Sequence, residues 1–179
     1  MKIDFSEKNV LVTGGSGGIG KAICKAFSEA NANVAIHYNT NRSGAEDTLS
    51  SLSGNKHVIV QADLSKPDEV EEIIKCLPNV DIVVNNAAVV EQHNFDSLSY
   101  KQWQDIWKRT IESNLMGPAY LIYCASKVMR KKGGGKFVNI SSRGAFRGEP
   151  KAAAYGASKA GLNALGQSMA QALAKDNIY

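Results

Sequence analysis

Three side chains in the C-terminal part of the chain could share acid–base chemistry: Ser142, Tyr155 and Lys159. Tyr155 and Lys159 are four residues apart in a stretch of helical periodicity, so both can point into one cleft. An ammonium beside a phenol favours the phenolate form, which suits a tyrosine to exchange protons. Ser142 follows an apolar run that predicts a strand, and its neighbour Ser141 is the competing serine. These types and spacings predict proton transfer at an oxygen.

A second candidate is a glycine-rich segment near the N-terminus, in which Gly14, Gly18 and Gly20 follow an apolar run and precede a helical pattern that begins at Ile19. Glycine permits a tight turn and lets the backbone approach a pyrophosphate, and the helix N-terminus offers free N–H groups to it. The spacing differs from the common G-x-G-x-x-G fingerprint. The segment predicts a dinucleotide phosphate site.

The elements that must position these residues alternate between strands and helices. Short β-branched runs predict strands at residues 10–12, 34–36, 58–60, 82–84 and 137–140. Helical periodicity predicts helices at residues 19–27, 45–52, 67–77, 100–130 and 155–175, the third introduced by Ser65 and Pro67. Runs that are apolar on both faces indicate a parallel sheet covered by helices on each side. We expect one doubly wound α/β domain, a Rossmann fold, over residues 1–179.

Composition argues against several other classes. A net charge of +4 is too small and dispersed for nucleic acid to be the main partner. The basic run 130–132 precedes Gly133, which is typical of a helix C-terminus. Neither a secretory signal nor a membrane-spanning run is apparent, so we expect a cytoplasmic protein without a membrane partner. Two of the three cysteines lie among apolar helix positions, which suits reduced core thiols. Neither the cysteines nor the three histidines have metal-ligand spacing, so no metal is expected.

The glycine-rich segment, read as T-G-x-x-x-G-I-G, resembles the short-chain dehydrogenase/reductase family, in its 3-oxoacyl carrier-protein reductase-like branch. Residues 85–88 resemble that family's N-N-A-G segment, with Ala88 at the glycine position. The resemblance extends from about Lys8 to Ile178. It implies an NAD(P) cofactor, a small-molecule carbonyl or alcohol substrate, and a homodimer or homotetramer.

The resemblance also implies site roles. Tyr155 would exchange the proton with the substrate oxygen, Ser142 would polarise that oxygen, and Lys159 would hold the nicotinamide ribose. Asn114 would hold a water in a proton relay. Pro118, four residues on, has no N–H to bond the Asn114 carbonyl. A proline kink with Asn114 facing solvent is the alternative. The implied cofactor residues are Gly14, Ser16, Gly18, Ile19, Gly20, Asn39, Arg42, Asp63, Leu64, Asn86, Ala87, Tyr155 and Lys159, with Asp63 at the adenine ring.

The end of the second predicted strand bears on which nicotinamide cofactor is used. NAD enzymes usually place a carboxylate there for the ribose hydroxyls, and a carboxylate would repel a 2′-phosphate. Here no acid occurs before Glu46, whereas Asn39, Thr40 and Arg42 are donors. We therefore expect NADP(H), with NAD(H) as the alternative and Arg42 as a solvated loop cation as the other interpretation.

Family members are usually longer than this chain, so we expect a fragment or incomplete version of a longer enzyme. The segments that would close the substrate pocket are the ones expected to be missing. A 3-oxoacyl carrier-protein reductase, a sugar or polyol dehydrogenase and a pteridine-type reductase all fit what remains. The alternative from another class is a non-catalytic nucleotide-binding protein, a redox sensor or a truncated remnant.

Overall fold

Five strands form one parallel sheet in the order β3-β2-β1-β4-β5 in the computed structural model, which describes residues 3–179. The strands are β1 (Asn9–Val12), β2 (Asn33–Tyr38), β3 (Val58–Gln61), β4 (Ile82–Asn85) and β5 (Lys136–Asn139). Each neighbouring pair is parallel. The predicted strands and the doubly wound α/β fold are confirmed.

In the described part of the chain, seven α-helices connect and cover the strands. They are α1 (Gly18–Glu29), α2 (Arg42–Ser50), α3 (Pro67–Cys76), α4 (Tyr100–Ile111), α5 (Gly117–Lys131), α6 (Gly144–Arg147) and α7 (Ala153–Leu173). Short 3₁₀ turns lie at Phe95–Ser97 and Ala174–Asp176. The four-residue helix α6 was not predicted, because it is too short to show a periodic pattern.

The two faces of the sheet carry separate apolar cores, because successive side chains of a strand point to opposite faces. Val10, Val12 and Ile36 pack with α1 and α2 on one face. Leu11 and Val83 pack with α3, α5 and α7 on the other. This two-sided burial explains why the strands read as continuous apolar runs.

The strand order changes direction between β1 and β4. β2 and β3 extend the sheet on one side of β1, and β4 and β5 extend it on the other side. In open parallel sheets, ligands bind in the crevice outside the carboxyl ends of the strands at such a switch point. The loops after the strands carry the glycine-rich segment, Asp63, Asn86 and the two serines, so the fold gathers the predicted site residues at one edge.

A single π-helical turn, Glu112–Met116, separates α4 from α5 within the predicted 100–130 helical region. The Gly117 N–H donates to the Glu112 carbonyl, five residues back, instead of four. Pro118, in the first turn of α5, provides no N–H. The wider turn places Asn114 inside the molecule, where it is fully buried. Such π turns are frequent at functional sites.

One local expectation is wrong. Lys66, not Ser65, occupies the N-cap of α3, with Pro67 in its first turn as predicted; Ser65 bonds Asp63 instead. Of the three cysteines, Cys24 is buried, Cys124 is half-buried and Cys76 is exposed at the end of α3. Across residues 3–179 no helix combines the length and apolarity needed to cross a bilayer.

Candidate active site

An open cleft of about 440 Å³ lies at the carboxyl ends of the strands. Its walls come from the loops after all five strands, from the π-helical turn and from α7. The lining residues are Gly14, Ser16, Ile19, His37, Asn39, Thr40, Asn41, Asp63, Leu64, Asn86, Ala87, Ala88, Val89, Val90, Ser113, Ile140, Ser141, Tyr155 and Lys159. Most of the predicted site residues are therefore brought together.

The glycine-rich loop brings the backbone of α1 up to the cleft. Gly14 and Gly18 have φ of 65° and 52°, which non-glycine residues rarely adopt. A Cβ on Gly20 would overlap the Gly14 carbonyl oxygen, so only glycine lets α1 start this close to β1. Among the residues that the structure describes, no side chain caps the N-terminus of α1. Its first N–H groups are thus free for an anion, such as a pyrophosphate.

Thr13 fixes this loop to the segment after β4. Its Oγ1 accepts hydrogen bonds from the Asn86 and Ala87 N–H groups, each at 2.9 Å. The Asn86 amide nitrogen Nδ2 in turn donates to the Thr13 carbonyl at 2.8 Å. These contacts hold Asn86 and Ala87 against the cleft. Thr13, which is buried, was not predicted as a site residue; its place directly before Gly14 was the available signal.

His37, near the end of β2, is a second residue of the site that the sequence analysis missed. Its Nδ1 accepts from the Gly14 N–H at 3.1 Å and its Nε2 lies 3.0 Å from the Ala62 carbonyl. The side chain is 2 % exposed, and burial lowers its pKa to about 4. At the level of sequence the histidines are considered only as metal ligands, so this role is not found there. Among the residues that the structure describes, no acidic, thiol or imidazole cluster could hold a metal ion.

The end of β2 is neutral where it meets the cleft. Asn39, Thr40 and Asn41 line it, and the Asn41 side chain also caps α2 by accepting from the Gly44 N–H. Arg42 is not among the lining residues. Its guanidinium is exposed and donates to the Glu46 carboxylate at 2.8 Å, one turn along α2.

Asp63 and Leu64 line the cleft after β3. The Asp63 carboxylate accepts from the Ser65 N–H at 3.0 Å and from the Ser65 hydroxyl at 2.7 Å. Partial burial raises the pKa of Asp63, but these bonds and the charge of Lys66 hold it below its ordinary value. The carboxylate therefore stays ionised and is available to accept a hydrogen bond from a ligand.

Lys159 is buried at the base of the cleft, 2 % exposed, and Tyr155 lies one turn before it on α7. The Lys159 Nζ donates to the Ile140 carbonyl at 2.8 Å and is 5.8 Å from the centre of the Tyr155 ring. Burial lowers the pKa of Lys159. The helix spacing thus places both side chains in one cleft, as the sequence predicts.

Asn114 connects the loop after β4 to α7. Its Oδ1 accepts from the Val89 N–H and its Nδ2 donates to the Val89 carbonyl, both at 2.8 Å. Nδ2 also lies 3.2 Å from the Ser158 hydroxyl, which donates to the Tyr155 carbonyl at 2.7 Å. Asn114 does not face solvent, so that alternative is wrong. Ser158, between Tyr155 and Lys159, was not predicted.

The two serines after β5 are held differently. The Ser142 hydroxyl accepts from the Gly144 N–H at 3.1 Å, at the start of α6. Ser141 is among the lining residues, but its hydroxyl is buried and has no hydrogen-bond partner within residues 3–179. A buried hydroxyl left unpaired costs free energy.

Fold and cleft together define a dinucleotide-binding α/β protein, and comparison with known proteins makes this more specific. The profile of the family described as short chain dehydrogenase matches residues 8–179. The chain is 31 % identical over 174 residues to a 3-oxoacyl-(acyl-carrier-protein) reductase of Synechocystis, covering 94 % of this chain and 69 % of that one. It therefore belongs to the short chain dehydrogenase family of NAD(P)-dependent oxidoreductases.

Two further relatives show the range within the family. An NAD-dependent glycerol dehydrogenase of Listeria innocua is 30 % identical, with 98 % of this chain and 68 % of that protein covered. A solved structure of a short chain dehydrogenase/reductase family protein superposes with a TM-score of 0.87 at 29 % identity, covering 99 % of this chain and 72 % of that one. The chain thus spans about two thirds of the length of the relatives it matches.

Proposed function

We propose that this chain holds the cofactor site and catalytic residues of an NADP(H)-dependent oxidoreductase that interconverts a carbonyl and an alcohol, with Tyr155 as acid and base. The observation that carries the proposal is the shared cleft of Tyr155 and Lys159 at the switch point of a dinucleotide-binding fold. When bound, the nicotinamide supplies or accepts the hydride.

The cleft fits such a cofactor. Its volume of about 440 Å³ lies within the range of small-molecule sites. The uncapped N-terminus of α1, with Gly14, Ser16, Gly18, Ile19 and Gly20 around it, would hold the pyrophosphate. Asp63 and Leu64 would hold the adenine. Asn86 and Ala87, which line the cleft, would lie against the ribose and nicotinamide.

The preference for NADP(H) over NAD(H) is supported by the neutral end of β2. Asn39 and Thr40 line the cleft there without a carboxylate. Arg42 would have to leave Glu46 to reach a 2′-phosphate, and their ion pair is exposed. Water screens exposed ion pairs and makes them weak, so the rearrangement costs little.

We assign the following roles to the catalytic set. The Tyr155 hydroxyl gives a proton to the carbonyl oxygen, or takes one from the alcohol. The Ser142 hydroxyl donates a hydrogen bond to the same oxygen and polarises it. Lys159 has three N–H donors; one is used by Ile140, so two are left for the ribose hydroxyls and the Tyr155 oxygen. Asn114 fixes the loop after β4 relative to α7 and supports a proton relay to Lys159.

The substrate is a small carbonyl compound or alcohol. Relatives include a reductase of 3-oxoacyl carrier-protein substrates and a glycerol dehydrogenase, so we leave the choice within this class to a substrate panel. We also propose a homodimer or homotetramer. Tyr100 of α4 and Tyr123 of α5 are largely exposed, and helices of a partner copy would cover them.

Binding and turnover are tested separately. NADPH and NADH are titrated into the protein while their fluorescence is followed, and NADPH oxidation is then measured with a panel of ketones and 3-oxoacyl thioesters. Tighter binding of NADPH together with turnover supports the proposal. Binding without turnover on any compound favours a non-catalytic nucleotide-binding protein, and the absence of binding rejects both functions.

A further inference from the structure

The imidazole of His37 joins two loops of the cleft. Gly14 offers a backbone N–H, so the facing Nδ1 must be the unprotonated acceptor. Ala62 offers a carbonyl, so the Nε2 facing it must carry the hydrogen. The contacts thus require one form of the ring, neutral with the hydrogen on Nε2.

His37 holds the glycine-rich loop at two successive amides. The ring accepts from the Gly14 N–H at 3.1 Å, and the His37 backbone carbonyl accepts from the Gly15 N–H at 2.8 Å. Gly14 is the residue with a φ of 65°, at which the loop leaves β1. The first hydrogen bond depends on the side chain at position 37, whereas the second would survive its replacement.

We propose that His37 is a positioning residue of the cofactor site: its neutral imidazole fixes the Gly14 peptide and thereby sets the glycine-rich loop in the conformation that receives the pyrophosphate. This inference rests on the proposed dinucleotide function. The inference adds a residue from outside the glycine-rich loop to the cofactor site. The side chain at position 37 must accept a hydrogen bond from the Gly14 N–H and donate one to the Ala62 carbonyl.

The charges around the ring agree with a neutral form. The charged group that acts on it is the Asp63 carboxylate, which favours the protonated ring. Desolvation is the larger effect and lowers the pKa to about 4. The Nε2 hydrogen is directed at the Ala62 carbonyl, 3.0 Å away, and is therefore not shared with Asp63.

A second histidine that contacts β2 provides a matched control. His57 contacts the other end of β2, where its Nδ1 accepts from the Val34 N–H at 3.1 Å and its Nε2 lies 2.7 Å from the Ser53 carbonyl. The bonding pattern is that of His37, but His57 does not line the cleft. Substitutions at both positions remove equivalent hydrogen bonds, and only those at position 37 act on the cofactor site.

The experiment compares His37→Phe, His37→Gln and His57→Phe with the unchanged protein by NADPH and NADH titration. Phenylalanine keeps a ring without the acceptor or donor, and we expect it to raise both dissociation constants about tenfold or more. Glutamine can accept and donate, and should restore most of the affinity. His57→Phe should lower stability and leave both dissociation constants unchanged. Equal affinity in all variants would overturn the inference.

A spectroscopic measurement on the unchanged protein does not depend on the variants folding. Nitrogen-15 NMR of the histidine side chains at pH 7, with and without NADP⁺, should show the His37 Nδ1 unprotonated and Nε2 protonated in both states. A hydrogen on Nδ1, or a charged ring, contradicts the inference. Failure of the unchanged protein to bind any nicotinamide cofactor would reject the proposed function instead.

Discussion

Tyr155 and Lys159 share a cleft, and the proposed function assigns the proton exchange with the substrate to the Tyr155 phenol. Removing the hydroxyl with Tyr155→Phe keeps the ring and its packing. General acid–base catalysis contributes about 10²–10⁴-fold, so turnover should fall by that factor while NADPH affinity is nearly kept. Steady-state rates and NADPH titration measure the two effects.

The control for this change is Tyr179→Phe, at an exposed tyrosine that follows the last 3₁₀ turn. It removes the same hydroxyl outside the cleft and should leave turnover unchanged. If Tyr155→Phe were as active as the unchanged protein, the acid–base role would belong to another residue.

Asn39 tests which cofactor the site prefers. The change Asn39→Asp adds a carboxylate at the end of β2, where a 2′-phosphate is expected. Repulsion of a group with about two negative charges, several ångströms away in a wet cleft, is on the order of 1 kcal/mol or more. NADPH affinity should therefore fall roughly tenfold, and NADH affinity should stay the same or rise.

Fluorescence titrations with both cofactors measure this change, and Asn55→Asp provides the same charge on an exposed loop that does not line the cleft. If Asn39→Asp kept its NADPH affinity, the 2′-phosphate would not be recognised at this end of β2. The preference for NADP(H) would then have no support from these residues.

Residues with recognisable chemistry could be predicted at this scale, and residues that only hold others could not. Tyr155 and Lys159 carry their signal in type and spacing. Ser158 and His37 act through hydrogen bonds to Asn114 and to the Gly14 and Ala62 backbone, which are distant from them in sequence. Their partners become known only once the loops are placed. A histidine inside a buried strand was the one signal for His37, because a buried polar group needs partners.

Among the helices, Gly117 at the start of α5 sets how closely that helix approaches β3. A Cβ there would lie 2.9 Å from the Leu64 carbonyl oxygen and from its Cβ. Replacing glycine by alanine inside a helix normally stabilises by about 1 kcal/mol. Overlap with a backbone atom should outweigh this gain, because overpacking costs about 1–3 kcal/mol. Gly117→Ala should therefore lower the free energy of unfolding, measured by urea denaturation.

Gly161→Ala on α7 is the matched control. Its Cβ would meet a Leu115 methyl group at 3.0 Å, and that side chain can rotate away. We expect this variant to be as stable as the unchanged protein or more so. A stabilising effect of Gly117→Ala would show that α5 can shift away from Leu64 at little cost.

Elements with two buried faces or long periodic patterns were predictable, and short ones were not. The strands follow from apolar runs, and α7 from its length. The helical region 100–130 was predicted, and Pro118 marked where it is interrupted, but not that the interruption is a π-helical turn. That geometry depends on Asn114 bonding the loop after β4, a contact between distant parts of the chain.

For the molecule as a whole, His37 makes the free energy of unfolding decrease when the pH becomes mildly acidic. The unfolded chain binds a proton at this residue near its ordinary pKa of 6.5, while the folded chain does so only near 4. Stability is therefore complete above pH 6.5 and falls as the pH drops towards 4. A shift of this size corresponds to about 3 kcal/mol in total.

Urea denaturation at pH 7 and pH 5 measures this dependence. About 2 kcal/mol should be lost from this residue between the two values, at 1.36 kcal/mol per pH unit below 6.5. Asp63 and Asp81, whose pKa values are held low, lose their stabilising effect only at more acidic pH. His37→Gln should show a correspondingly smaller loss; an equal loss would place the pH dependence elsewhere.

The buried Lys159 has one further consequence for the whole protein. Its ammonium is buried, donates to the Ile140 carbonyl and lies near the Tyr155 ring. Burial lowers the pKa of Lys159, which means that the folded protein holds the charged form at a cost in free energy. Under the proposed function, this position sets activity against stability, a trade-off common at active sites. Laboratory evolution for heat resistance should accept uncharged residues at position 159, whereas selection for turnover should return lysine each time.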